Sequence, residues 1–179
     1  MRKTKHFSVL HVILLVLATV CNYFAHKAGI TFSLPVRLDD IGTFLVAAVY
    51  GPLWGSLCGL AYGILAGLSN SSHLLYTIPH VLVGFIVGYG YPKNVRDTFQ
   101  VAGTAAFTTI VSTFSTTFIN IVVYDGYTNN LWGDALFDMV HHDNNFLLLS
   151  AIAGEALINM PDKLLSLFLV ALILRFRTS

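Results

Sequence analysis

The stretch FLLLSAIAGEALINMPDKLLSLFLVALIL, residues 146–174, decides the fold class of this chain. Its length and apolar content are those of a membrane-spanning helix, since about 20 such residues cross a hydrocarbon core of ~30 Å. Its interior nevertheless contains Glu155, Asn159, Asp162 and Lys163. An ionisable side chain at the centre of a span costs roughly 2.5–3.5 kcal/mol, so it normally faces a bundle interior, a cavity or a partner. The stretch therefore predicts a membrane protein built around a polar pocket.

The composition of the whole chain also indicates a membrane protein. Of its 179 residues, 55% are hydrophobic and 11% are charged, whereas soluble domains carry about 25% charged residues. The net charge is only +1 and no basic run is interleaved with aromatic residues, which excludes a nucleic-acid surface. Cys21 and Cys58 lie within apolar stretches, and we expect small buried hydrophobic residues rather than a disulfide or redox pair.

Six apolar stretches predict an all-α integral membrane protein, a six-transmembrane-helix bundle in one domain. The predicted spans are residues 7–25, 38–50, 52–68, 74–91, 99–124 and 146–174. The first is taken as a span because no small-residue cleavage site of a signal peptide follows it. The second and third are short, and Gly51-Pro52 between them predicts a tight turn. Whether each of these two crosses the whole membrane stays open.

The positive charges predict that both termini lie in the cytoplasm, because cytoplasmic loops carry the excess of Lys and Arg. With six spans, one side holds Arg2, Lys3, Lys5, Lys93, Arg96, Arg175 and Arg177. Only Lys27 and Arg37 fall in the opposite loops. The outer side then contains a long segment, residues 125–145, that follows the fifth span.

Two patterns predict how the bundle is packed and covered. Glycines recur at every fourth position of the third span, at Gly51, Gly55, Gly59, Gly63 and Gly67. Small residues at this spacing let helices approach closely, which favours packing inside the bundle over a partner surface.

In the outer segment, residues 128–142 predict a short amphipathic helix with Leu131, Trp132, Ala135, Leu136 and Met139 on its apolar face. Such a helix either covers the bundle at the membrane interface or forms a lid over a site.

With this orientation, polar side chains from five helices fall at one level in the outer half of the membrane. The candidate substrate contacts are Glu155, Asn159, His80, Tyr76, Asn120, Tyr124, Asp39 and Asn22. The inner halves of the spans are mainly apolar, so we predict a pocket open to the outside rather than a continuous pore. Its mixture of aromatic, amide and carboxylate groups suits a small polar or heterocyclic organic molecule better than a bare ion.

Several of these residues also have a purely structural interpretation. His80 is explained equally well as a neutral core histidine and as a ligand contact. Asn22 and Asn120 are also explained as interhelical hydrogen-bonding residues, worth about 0.6 kcal/mol each. Glu155 and Asn159, one helical turn apart on one face, are the strongest candidates for ligand contacts.

The remaining charges are explained first by structure. One of Asp39 and Asp40 is expected to cap the second helix, since a carboxylate there bonds free backbone amides. Asp162 and Lys163 lie deeper, and we expect them to pair with each other or with neighbouring backbone groups. A role for this pair in a conformational change is the alternative.

Catalysis has little support in the sequence. Adjacent histidines cannot both bind a metal from one helix face, so His141-His142-Asp143 fits a solvated loop better than a metal site. No nucleophile elbow, P-loop or dinucleotide motif is present. Energy from ATP would therefore have to come from another chain.

Three stretches resemble one family of membrane proteins. They are LPVRLDDIGTFLVAAVYGPLWGSLCGLAYGILAGL (34–68), WGDALFDM (132–139) and GEALINMPDKLLSLFLVALI (154–173). They look like the substrate-binding S component of energy-coupling-factor (ECF) vitamin transporters, and the resemblance extends over roughly residues 8–175. It implies a multi-pass protein of the cell membrane that captures a vitamin or related micronutrient at the outer face, without a cofactor or enzymatic activity. Pyridoxine-like and pantothenate-like substrates both stay open.

The resemblance also implies partners. An S component associates with a transmembrane coupling subunit and two cytoplasmic ATPase subunits, and topples in the membrane to release its substrate. Small residues on the first helix contact the coupling subunit in this family, and the nearest match here is Ala18, Asn22 and Ala25. Related membrane regions also occur fused to sensor kinases. A ligand-binding membrane sensor that signals through a partner kinase is therefore the alternative function.

Overall fold

A computed structural model describes residues 9–92, 94, 97–144 and 146–177 of the chain. Within these ranges the secondary structure is helical, without strands, which confirms the all-α prediction. The helices are α1 (Val9–Thr31), α2 (Ile41–Tyr50), α3 (Pro52–Ser69), α4 (Thr77–Gly90), α5 (Thr98–Tyr124), α6 (Leu131–Asn144) and α7 (Leu147–Arg177). One turn of 3₁₀ helix, Ser71–Leu74, precedes α4.

Five segments are long and apolar enough to cross a membrane. They are Val9–Thr31, Pro52–Ser69, Ser71–Gly90, Thr98–Tyr124 and Leu147–Phe176. The second predicted span is different, because its helix α2 has only 10 residues. At ~1.5 Å per residue such a helix reaches about 15 Å, half of a hydrocarbon core. The count of six spans and the side of the termini stay predictions, and Arg2, Lys3, Lys5, Lys93 and Arg96 lie outside the described residues.

The short helix α2 lies in the middle of the bundle, in contact with α1, α3, α4 and α7. Its Phe44 and Ala47 are fully buried in an apolar core that includes Val83 of α4 and Leu167 of α7. Gly42 allows α1 to approach closely, since a Cβ at this position would overlap the backbone of α1. Because longer helices surround it, α2 is stabilised by protein contacts along its whole length.

The glycines of α3 pack against α4, as their spacing predicts. A Cβ on Gly59 would overlap the carbonyl oxygen of His80, and a Cβ on Gly55 would overlap that of Gly84. The interpretation as packing inside the bundle is therefore confirmed. This close contact also fixes the backbone of α4 at His80, which is one of the predicted site residues.

Helix α5 is apolar on the face that points away from the bundle and polar on the face that points into it. Phe114 and Phe118 are 60% and 72% exposed, whereas Thr108 and Thr116 are buried. The two threonine hydroxyls donate to the backbone carbonyl four residues earlier, at 2.7 and 2.8 Å. Such an inside-out distribution is typical of a helix that contacts lipid on one side and a polar interior on the other.

Helix α6 covers most of the predicted amphipathic segment and ends two residues beyond it, but the predicted apolar face is not the one that packs on the bundle. Leu131 and Met139 are 69% and 66% exposed, and Phe137 is the buried side chain. The prediction of a solvated loop at His141 and His142 is also wrong, because both belong to the last turn of α6.

The two faces of α1 differ in the same way as those of α5. Phe24 is 66% exposed, and Cys21 is exposed while Cys58 of α3 is buried. The expectation of two buried cysteines is therefore wrong for Cys21. Ala18 and Asn22 lie on the opposite face of α1, buried against α2.

Candidate functional site: a polar cavity between two charged clusters

A cavity of about 290 Å³ lies where the α1–α2 loop meets the α5–α6 loop. Its volume is close to the lower end of the range for small-molecule pockets, roughly 300–1,000 Å³. The polar side chains that line it come from α1, both loops, the 3₁₀ turn, α4, α5 and α7. They include His26, Arg37, Asp39, Asp40, His73, Tyr76, His80, Ser112, Thr116, Tyr124, Thr128, Asn129, Asn130, Asn159 and Lys163.

Glu155 organises the first cluster of charged and polar groups beside the cavity. Its carboxylate is fully buried on α7. It accepts five hydrogen bonds, at distances of 2.6–3.1 Å, from Arg37 (two bonds), Thr116, Asn120 and Asn159. An ionised carboxylate offers about four lone-pair sites. Glu155 is therefore saturated by the protein itself, and we name these five residues the Glu155 cluster.

Arg37 brings the α1–α2 loop into the Glu155 cluster. Its guanidinium donates to both oxygens of Glu155, at 2.7 and 3.1 Å, and its side chain is 15% exposed. Burial by itself would lower the pKa of Arg37, but the Glu155 carboxylate outweighs it and raises the pKa. The guanidinium therefore keeps its positive charge, and the carboxylate of Glu155 balances that charge.

Lys163 organises the second cluster, on the α2 side of the cavity. Its ammonium donates to Asp40 at 2.6 Å and to Asp162 at 2.7 Å, which confirms the expected pairing of Asp162 with Lys163. His80 bonds the other oxygen of Asp40 through Nδ1 at 2.8 Å, and Asp39 lies 3.7 Å from the ammonium. These five residues form the Lys163 cluster.

The predicted capping of α2 by a carboxylate is wrong. Asp40 occupies the N-cap position, yet its side chain makes no capping hydrogen bond to the described residues. Both of its oxygens are bound by Lys163 and His80 instead. The charge pairing across helices therefore takes precedence over the local cap.

Leu38 separates the two clusters and turns the chain between them. Its φ of +58° lies in the left-handed region, which is unusual for a bulky residue. Its backbone N–H donates to Asp162 at 2.7 Å. This conformation places Arg37 in the Glu155 cluster and Asp39 in the Lys163 cluster, one residue away on either side of Leu38.

The two loops above the cavity are bonded to each other. Asn130 donates to the carbonyl of Leu34 at 3.0 Å, and the indole of Trp132 donates to the carbonyl of Ser33 at 2.9 Å. Asn130 itself lines the cavity. The α5–α6 loop therefore forms part of the roof, while α6 begins beside it.

The structure distributes the predicted site residues over three positions. Five of them line the cavity: Asn159, His80, Tyr76, Tyr124 and Asp39. Glu155 and Asn120 lie behind its wall, where Asn120 also accepts a hydrogen bond from the Tyr76 hydroxyl. Asn22 lies apart, since it donates to Thr43 at 2.9 Å and accepts from the Gly42 amide at 2.7 Å. That geometry agrees with its interpretation as an interhelical bond.

The predicted contact with a coupling subunit concerns Ala18, Asn22 and Ala25. Ala18 and Asn22 are buried against α2 of the same chain, and Ala25 is half-buried. A partner would reach the first two only if α2 moved away from α1. Their role in a partner contact stays a prediction.

Five charged or titratable residues of the cavity wall are not among the predicted ligand contacts: His26, Arg37, Asp40, His73 and Lys163. In the sequence, Arg37 contributes only to the predicted orientation in the membrane, although its position two residues before the Asp39-Asp40 pair is a visible signal. Polar residues at every fourth position of α5, from Thr104 to Asn120, were a second signal. They mark the face of α5 that turns inward.

The sequence matches the family model described as "ECF transporter, substrate-specific component" over residues 6–174. This chain belongs to that family. The resemblance inferred from the three stretches is thereby confirmed. Comparison with curated proteins and with solved structures gives no match.

As an S component, the chain is a substrate-binding subunit of an ECF importer and a multi-pass membrane protein. The family match supports this function and gives no support to the sensor-module alternative. Within the S component, the cavity between the Glu155 and Lys163 clusters is the candidate binding site.

Proposed function

We propose that this S component captures a small polar nutrient, a vitamin or related micronutrient, in the cavity between the two clusters. One observation carries the proposal. Polar side chains from α1, α4, α5 and α7 converge with the α1–α2 loop on one void, while the outward faces of the same helices are apolar. Burying so many polar groups is costly unless a ligand or the protein satisfies them.

The cavity opens toward the outside of the bacterial cell in this proposal. Support comes from the chain direction, since α1 approaches the cavity with its last turns, through His26, and α5 does so through Tyr124. The beginning of α1 and the end of α7 then lie at the other end of the bundle, where both termini would be cytoplasmic. In this arrangement α2, although short, counts as one of the six membrane passes.

Binding would use hydrogen bonds and aromatic stacking. Asn159 reaches the cavity from α7 and is held by Glu155 at 2.8 Å and Ser112 at 3.3 Å. Tyr76 and Tyr124 line the same cavity, and their rings would stack on a bound ligand, while the Tyr76 hydroxyl is already bonded to Asn120. Because the supporting bonds already fix several of these groups, little ordering entropy is lost when a ligand enters.

Release would require partners. The chain contains no ATP-binding motif, so a transmembrane coupling subunit and two cytoplasmic ATPase subunits would supply the energy and move the loaded S component. The S component itself has no reaction to catalyse in this scheme.

The proposal is tested by identifying the small molecule that stays with the purified protein, using mass spectrometry of an organic extract. A single stoichiometric compound should be recovered from the unaltered protein and from Asn22→Ala, but much less from Asn159→Ala. Radiolabelled uptake of that compound in cells that contain the coupling and ATPase subunits completes the test. Recovery of no compound, together with no uptake of candidate nutrients, would contradict the proposed function.

A further inference from the structure

Asp39 is a buried carboxylate on the cavity wall, and one of its oxygens is unsatisfied. The residue is only 4% exposed, and its Oδ1 makes no hydrogen bond to the described part of the chain. Lys163 Nζ lies 3.7 Å from Oδ1, and nitrogen atoms of His26 and His80 each lie 3.8 Å from Oδ2. All three distances exceed the ~2.7–3.2 Å of an N–H···O hydrogen bond.

The other carboxylates of the two clusters are satisfied by the protein. Glu155 accepts five hydrogen bonds. Asp40 is bound by Lys163 and His80, and Asp162 by Lys163 and the Leu38 amide. Leaving a buried polar atom without a partner is costly, and such atoms in native structures need an explanation. At Asp39 a donor supplied by a ligand is that explanation.

The charge balance of the cavity favours a positively charged ligand. Four carboxylates, those of Glu155, Asp39, Asp40 and Asp162, lie in the two clusters. The clusters contain two permanently charged cations, Arg37 and Lys163, and the protonatable His80, which is paired with Asp40. Arg37 is paired with Glu155, and Lys163 bridges Asp40 and Asp162. An anionic ligand would therefore meet Asp39 without a cation left to pair with it. A cation would neutralise the excess negative charge.

A second unsatisfied atom lies close to Asp39. Nδ1 of His26, on α1, makes no hydrogen bond to the described residues, and the residue is 9% exposed. Its ring lies on the cavity wall together with Tyr76 and Tyr124. Aromatic faces attract cations. At ~30 Å³ for a water molecule in the liquid, the cavity has room for about ten non-hydrogen atoms, which fits a small heterocycle or aryl amine.

A divalent metal ion fits the same residues less well. Single ligand atoms of Asp39, Asp40 and His80 lie within 4.8 Å of one another. However, both oxygens of Asp40 are bound, one by the Lys163 ammonium at 2.6 Å and the other by His80 Nδ1 at 2.8 Å. A positive charge so close to a required ligand opposes a second cation at that oxygen.

From these contacts we infer that the substrate is a small organic cation, a protonated amine or N-protonated heterocycle, whose N–H donates to Asp39. This inference rests on the proposed function, since it names the substrate class of the same cavity. His26 is the neighbouring group that accepts or donates a second hydrogen bond to the same ligand. The Glu155 cluster then positions Asn159 at the other end of the cavity.

The test compares three probes of similar shape and different charge: benzylammonium, benzyl alcohol and benzoate. Binding to the purified full-length protein, freed of retained ligand, is measured by saturation-transfer NMR and calorimetry. Benzylammonium is expected to bind at least about tenfold more tightly than either other probe, as a charge-assisted hydrogen bond implies. Asp39→Asn should remove this preference, and Asp138→Asn, on the exposed side of α6, should keep it.

The series in the unaltered protein does not depend on whether the variant folds. Equal or tighter binding of benzyl alcohol or benzoate, or a cation preference that survives in folded Asp39→Asn, would overturn the inference. So would binding of Zn²⁺ or Co²⁺ that requires Asp39 and excludes benzylammonium. If the molecule retained through purification is neutral or anionic, the substrate class is wrong but the binding function stands. Recovery of no molecule, together with no uptake of candidate nutrients, would count against the function itself.

Discussion

Arg37 and Glu155 are 118 residues apart in the sequence and form a two-contact ion pair, with Nη2–Oε1 at 2.7 Å and Nη1–Oε2 at 3.1 Å. The pair joins the α1–α2 loop to the first third of α7. Through Glu155 it also reaches Thr116 and Asn120 of α5. One loop residue thereby links the roof of the cavity to two of the helices that form its wall.

Replacing Glu155 with alanine is expected to lower the free energy of unfolding by about 3–5 kcal/mol, because Arg37 would keep a buried charge without its partner. Ligand binding should weaken as well, since Arg37 and Asn159 both lose a bond that fixes them. Thermal and denaturant unfolding in detergent micelles measure the first effect. Lys27→Ala, at an exposed cation on α1, is the matched control and should change stability little.

A double variant tests whether the ion pair is the cause. Arg37→Met combined with Glu155→Ala should be more stable than Glu155→Ala alone, because no unpaired charge is left. If Glu155→Ala unfolds at the same temperature and denaturant concentration as Lys27→Ala, the central role of this pair is contradicted.

Asn159→Ala and Asn22→Ala should separate binding from stability. Asn159 lines the cavity, and its loss should weaken ligand affinity by roughly tenfold, the value of one hydrogen bond of about 1.4 kcal/mol. Asn22 bonds α1 to α2 outside the cavity, so Asn22→Ala should cost about 0.6–1.7 kcal/mol of stability and leave affinity unchanged. Calorimetric titration and unfolding are measured on both. Unchanged affinity in Asn159→Ala together with weakened affinity in Asn22→Ala would place the binding site elsewhere.

Glycine substitutions should reveal how closely α3 and α4 pack. Gly59→Leu is expected to prevent folding or assembly, because even a Cβ there would overlap the backbone of α4 at His80. Gly103→Leu on α5 is the control, since among the described residues nothing lies within 4 Å of its would-be Cβ. Expression and size-exclusion profiles distinguish the two variants. Normal folding of Gly59→Leu would show that the contact is looser than described.

Two substitutions at Leu38 test the left-handed turn between the clusters. Leu38→Gly should keep ligand binding, because glycine adopts positive φ without steric cost. Leu38→Pro should abolish binding, because proline fixes φ near −65° and removes the N–H that donates to Asp162. Affinity and yield of both variants are compared. Equal affinities would show that the turn does not position Arg37 and Asp39.

The sequence predicted the helical fold well, because apolar length is a local property, and five of the eight predicted site residues line one cavity. It did not predict that Glu155 lies behind the wall, since that depends on Arg37 reaching it from 118 residues away. The face of α6 was also predicted incorrectly. In a membrane protein both lipid and core are apolar, so an apolar stripe such as that of Leu131 and Met139 does not tell which side is buried.

The central claim is that the substrate binds in the cavity between the Glu155 and Lys163 clusters. An experimental structure of the protein with its retained ligand, in lipid nanodiscs, tests this most directly. We predict ligand density within hydrogen-bond distance of Asn159 and Asp39, with Arg37 still paired to Glu155. Ligand density elsewhere with this cavity filled by side chains, or Glu155, Asn159 and His80 in separate helix contacts without a shared void, would contradict the account.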